Sequence, residues 1–92
     1  MSSRSNPLRN LLSRLRWDPG VRAGDYVITF VSRGAPGGVE VVRGSSIERV
    51  YLRGFEVREG SRLRYIPFHR VLEVKNEVTG EVVYKRGARP SP

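Results

Sequence analysis

The tripeptide Asp18-Pro19-Gly20 divides this sequence into two parts with different periodicities. The residue before a proline avoids the α region, and a Pro-Gly pair favours a turn, so no helix runs through this point. Upstream, Leu8, Leu11, Leu12 and Leu15 fall at i, i+3, i+4 and i+7, which makes one helical stripe. Asn6 suits the N-cap and Pro7 the first helical position, where a missing N–H is no loss. The chain therefore begins with one amphipathic helix that must lay its leucines on something else.

Downstream the period becomes two. "DYVITFVSR" sets Tyr26, Ile28 and Phe30 against Val27, Thr29 and Val31, and both sets suit a central strand. "GAPGG" (Gly34 to Gly38) is a tight connection and "VEVVR" a second strand. "GSSIERV" places Ser45 and Glu48 at capping-box spacing, which predicts a short helical turn. "YLRGFEVRE" reads as a third strand with a bulge at Gly54, and "EGSR" turns the chain. "HRVLEVKN" and "GEVVYKR" form a hairpin around "EVTG". The expectation is an α+β fold, with the N-terminal helix packed on a curved, mainly antiparallel sheet or partial barrel of about five strands. An open sheet and a small closed barrel are the alternatives. Residues 1–6 and 87–92 are expected to be flexible, flanking a single domain over 7–86.

The charge is lopsided. Lysine and arginine total 17 against 9 acids, for a net charge of +8, and 15 of the 17 cations are arginine. Guanidinium forks onto phosphate and stacks on bases, so an arginine excess points to RNA or DNA. A compositional bias toward arginine is the alternative source. A membrane-surface helix would need an exposed apolar face rich in Trp or Phe, and none is visible. With no cysteine and one histidine, neither a disulfide nor a metal centre is expected, nor any cofactor. No apolar run approaches the roughly 20 residues of a membrane span. The N-terminus has no secretory core, so the expected compartment is the cytoplasm.

Candidate contact residues follow from charge and aromaticity. Arg9, Arg14 and Arg16 lie on the helix away from the leucine stripe, and no acid accompanies them. They are candidates for backbone phosphate contacts, or else a solvated basic face. The glycines of "RGAPGG" lack the Lys-Ser or Lys-Thr pair of a phosphate loop and precede a strand, so they read as a hairpin loop with Arg33 at its base. Arginine adjoins an aromatic at Arg16-Trp17, Arg64-Tyr65 and Tyr84-Lys85-Arg86, the pairing used to hold unpaired bases. Trp17 reads first as a plug between helix and sheet, and second as a stacking surface. His69 is either a ligand-binding group, a general acid or base, or a half-buried strand residue satisfying a backbone group. With no second histidine and scattered acids, the nucleophile, base and orienter of an enzyme cannot be assembled.

Four stretches carry a family resemblance: "LRWDP", "DYVITFVSR", "IPFHRV" and "GEVVYKR". Together they resemble the archaeal RNA cyclic group end recognition domain family, over residues 8 to 86. The resemblance implies RNA binding, with recognition of ends bearing a 2',3'-cyclic phosphate, in a family whose related domains occur fused to RNA end-processing enzymes. By match to the motifs it implies Trp17, Asp18, Arg33, His69 and Arg70 as the functional set. Many members end in an aromatic-Asp-Arg triplet. Here it is Tyr84-Lys85-Arg86, which favours phosphate binding over acid-dependent chemistry. The sequence reading is thus a small RNA-binding protein, not an enzyme. Arg9, Arg14 and Arg16 are expected to contact RNA backbone phosphates, with Trp17 beside them, and Arg33, His69, Arg70 and Arg86 to form the terminal or internal phosphate site. An accessory protein of the ribosome or another RNA–protein particle is the alternative, and an RNA-end phosphoesterase the third reading.

Overall fold

The helix forms where the leucine stripe puts it. In this computed structural model, which describes residues 6–86, α1 spans Pro7–Trp17. The Asn6 side-chain carbonyl accepts from the N–H groups of Leu8 (2.9 Å) and Arg9 (3.2 Å), and Pro7 opens the first turn. Leu8, Leu12 and Leu15 are buried. Asp18, in extended conformation, ends the helix, and its side chain accepts from the N–H of Gly20 at 2.8 Å. The N-terminal and C-terminal segments expected to be flexible lie outside the described residues, apart from Asn6.

Among the described residues seven strands follow: β1 (Tyr26–Val31), β2 (Val39–Arg43), β3 (Ile47–Val50), β4 (Gly54–Glu59), β5 (Arg62–Pro67), β6 (Val71–Asn76) and β7 (Val82–Lys85). They build two antiparallel sheets, with order β2-β1-β6-β7 and β3-β4-β5. The α+β class holds. The single sheet or partial barrel of about five strands does not: among the described residues there are two sheets and no closed barrel.

The corrections have local causes. A 3-10 turn does form at Gly44–Ser46, but no side chain caps it: Ser45 lies within the turn, and Glu48 is a strand residue of β3 whose carboxylate binds Arg58 at 3.1 Å. The third expected strand breaks at Tyr51–Arg53, so β4 begins at Gly54, which pairs with Pro67 in unbroken register. The bulge in this sheet lies instead between Ile47 and Arg49. "RLRYIP" is a strand because Arg64 and Ile66 turn one way and Leu63 and Tyr65 the other, following the alternation of their partners on β4. Its Pro67 is tolerated at the end of an edge strand.

The two sheets and the helix share one core. Ile28 and Phe30 of β1, Phe55 and Val57 of β4, and Val71 and Val74 of β6 are almost wholly buried with the helix leucines. The rings of Phe55 and Phe68 stack at 6.2 Å. Full burial of each such side chain contributes about 1.5–3 kcal/mol, so this core rather than surface pairing stabilises the fold.

Candidate nucleic-acid interface

The antiparallel ladder gathers four of the sequence-predicted residues at one end of the four-stranded sheet. Phe30 pairs with Val71, so the end of β1 meets the start of β6. Arg33 follows β1 and the His69-Arg70 pair precedes β6, which puts all three at this end. Arg86 joins them from β7, its N–H donating to the carbonyl of Leu72 at 2.8 Å. His69 and Arg70 stand in a 3-10 turn, Phe68–Arg70, and β6 opens only at Val71. The turn drives Phe68 into the core and leaves His69 and Arg70 exposed, so His69 is not a half-buried strand residue. Among the described residues, Arg33, His69, Arg70 and Arg86 make no ion pair with any acid.

Beside them a groove of about 310 Å³ runs between β1 and β5, lined by Phe30, Val31, Arg64, Tyr65, Ile66, Pro67 and Arg70. Its inner wall is held by Arg64. The guanidinium binds both oxygens of Glu40 (2.9 and 3.0 Å) and lies 5.2 Å from the centre of the Phe30 ring. Ser32 is buried, and its hydroxyl also donates to Glu40. Arg64 therefore ties β5 to β2 across the boundary between the sheets, and its charge is already matched. Arg70 lines the same groove with no acid partner among the described residues, which leaves it available to an anion. Arg64 appears in the sequence only as half of an Arg-Tyr pair. Its partner stands 24 residues away, so no local pattern reveals the link.

The hydrogen bonds from Arg64, and then from Ser32, hold the Glu40 carboxyl at about 2, well below its ordinary 4.5, against a smaller opposing effect of desolvation. A carboxyl depressed in the folded chain stabilises above its unfolded value, and that contribution disappears as pH falls through the folded one. The difference in melting temperature between the wild type and Glu40→Gln is expected to be constant above about pH 5.5 and to close as pH approaches 2. A difference independent of pH from 6 to 2.5 would show that the Glu40 charge is not what matters.

The helix residues belong elsewhere. Leu15 packs beside Gly44, in the turn that follows β2, so the C-terminal turn of α1 sits at the end of the four-stranded sheet opposite the groove. Arg9 is exposed; Arg14 approaches Asp18 at 3.8 Å, an exposed pair of little energetic weight. Arg16 donates from Nε to the carbonyl of Glu48 (3.0 Å) and covers the Trp17 ring at 4.2 Å. Trp17 is 66% exposed, so the first reading of it, as a plug between helix and sheet, is wrong. The leucine stripe completes the packing without it. The predicted contact residues thus fall into two groups, Arg33, His69, Arg70 and Arg86 at the groove end, and Arg9, Arg14, Arg16 and Trp17 on α1, whose last turn lies at the other end. Among the described residues, no cluster of His, Asp and Glu is arranged to hold a metal, and no helix is long and apolar enough to cross a membrane.

Comparison with known proteins bears on what such an end could hold. Residues 6–86 match the family described as MJ1316 RNA cyclic group end recognition domain. The chain belongs to this family. A UPF0248 protein of Pyrobaculum islandicum is 41% identical over 86 residues, covering 91% of this chain and 96% of the relative. One of Methanococcus vannielii is 39% identical over 80 residues, covering 86% and 90%. The UPF0248 protein MJ1316 of Methanocaldococcus jannaschii is 33% identical over 79 residues, covering 86% and 92%. The family resemblance read from the four sequence stretches is thereby established, and these relatives are archaeal. No solved structure matches the chain.

Proposed function

We propose that this family member is a cytoplasmic, non-catalytic RNA-binding protein that holds RNA ends carrying a 2',3'-cyclic phosphate. The observation that carries the reading is the convergence of Arg33, His69, Arg70 and Arg86, none paired with an acid among the described residues, on one sheet end beside the groove. A charged donor to a phosphate oxygen makes a shorter and stronger hydrogen bond than a neutral pair. Arg70 supplies fixed charge, and His69 beside it supplies a second donor in either protonation state. Arg9, Arg14 and Arg16 contact backbone phosphates, and Trp17 offers a stacking face, away from the terminus. That second group supports the alternative, an accessory protein of the ribosome or another RNA–protein particle, in which the terminus carries no special weight.

Matched oligoribonucleotides differing only in a cyclic-phosphate or hydroxyl terminus separate the two. Fluorescence anisotropy is expected to show tighter binding of the cyclic end, affinity falling steeply with salt, and cyclic-ended RNA recovered unchanged after incubation. Arg9→Ala should lower the log–log salt slope by about 1 with either end, as removal of one phosphate contact does. Equal affinity for both ends favours the particle reading. A salt slope near zero removes the electrostatic basis of both, and turnover of the cyclic phosphate makes the protein an enzyme.

A further inference from the structure

We infer that Tyr65 is a stacking platform for the nucleobase adjoining the bound phosphate. This deepens the RNA-end reading and rests on it. In the β4–β5 ladder Tyr65 stands opposite Glu56, and Gly54 lies two residues along β4 on that same outer face. A Cβ at Gly54 would collide with the Tyr65 hydroxyl oxygen and lie 2.5 Å from its Cζ. The phenol therefore lies down across the sheet, over bare backbone, instead of standing away from it. Only glycine leaves room for this.

The ring is braced as well as seated. Tyr51 lies 6.1 Å away, its plane inclined by 56°, and its hydroxyl donates to the Glu56 carboxylate at 3.0 Å. Accepting that bond occupies the acid nearest the platform and pushes the Tyr51 phenol above its ordinary value, so its proton stays in place. Tyr65 itself remains 49% exposed, and the residue borders the groove that contains Arg70, its ring on the face of β5 opposite Arg64. A phosphate at Arg70 thus brings the sugar and base that carry it toward a ring already fixed in place. Every base has a π face, so such a platform accepts any terminal nucleotide, and the phosphate supplies the discrimination. An aromatic that merely shields a strand glycine would need the same seat but would gain nothing from a base.

The test uses RNA with a 2',3'-cyclic phosphate on a terminal 5-iodouridine, irradiated in complex with the full chain. The expected adduct is on Tyr65, located by mass spectrometry. Tyr65→Phe keeps the ring and should bind as the wild type does. Tyr65→Leu keeps Gly54 covered but loses the π face, and should weaken binding about 5- to 150-fold, the range of one stacked base. A melting curve for each variant confirms the fold. If the wild type binds the cyclic end selectively, while Tyr65→Leu binds within twofold and the adduct lies elsewhere, the platform is refuted and the phosphate site stands. If the wild type shows no preference for the cyclic end, the platform falls together with the end reading. If Tyr65→Leu does not fold, an adduct on Tyr65 in the wild type supports the platform and an adduct elsewhere overturns it.

Discussion

Arg70→Ala is expected to lower affinity for a cyclic-phosphate RNA end about 10- to 150-fold, while affinity for the same RNA with a hydroxyl end changes little. The magnitude is that of one charged hydrogen bond to a partly desolvated phosphate, about 1.5–3 kcal/mol. Arg64 cannot take over, because both oxygens of Glu40 already bind its guanidinium. The fold should be indifferent to the change. Arg70 is exposed and makes no ion pair among the described residues, while its neighbours Phe68 and Val71 do the packing. The comparison between ends is the discriminating measurement, because a contact to an internal phosphate carries no information about the terminus. Equal loss with both ends, in a variant that melts like the wild type, would sink end recognition and leave backbone binding as the function of this surface.

The same residues show what a sequence of this kind discloses. Local signals were sufficient where local chemistry decides. The leucine spacing, the Asn6 cap and the Asp18-Pro19 stop define α1, and alternation defines β1, β2 and the β6–β7 hairpin. Two strands escaped. In β3 the Ser45–Glu48 spacing imitates a capping box, and in β5 arginines at alternate positions and a terminal proline disguise a strand as a polar turn. Both are edges of the three-stranded sheet, where one face or one side meets water and the apolar signal is thin. Missing them concealed the groove, which exists only because β5 passes the end of β1. The gathering of Arg33, His69, Arg70 and Arg86 is likewise a product of antiparallel register, not of spacing along the chain. Trp17 departs in the other direction: its size points to burial, but the residue after a completed stripe has no core position left to fill and stays exposed.

Gly44→Ala is expected to be strongly destabilising. A Cβ at Gly44 would stand 2.5 Å from the carbonyl oxygen of Ala23 and 3.3 Å from Leu15 Cδ1. The first contact is with backbone, so no rotamer change relieves it. Either the turn before β1 or the turn after β2 must move, and Leu15, which fastens the end of α1, must move with it. Overpacking of this kind costs about 1–3 kcal/mol, and a clash with backbone belongs at the upper end. In a domain of this size each kcal/mol lowers the melting temperature by about 4–8 °C, so a fall of about 10–20 °C is expected. Gly24→Ala is the control from the facing turn. Its Cβ would approach nothing closer than Ser45 Oγ at 3.8 Å, and reduced freedom of the unfolded chain should make it neutral or stabilising by about 0.4–1 kcal/mol. Two similar melting temperatures would mean that the turns are not packed as described. The strain lies at the end of the four-stranded sheet away from the groove, so Gly44→Ala should keep its preference for the cyclic end at temperatures where it remains folded. Loss of both together would mean that the two ends of the sheet are coupled through the shared core.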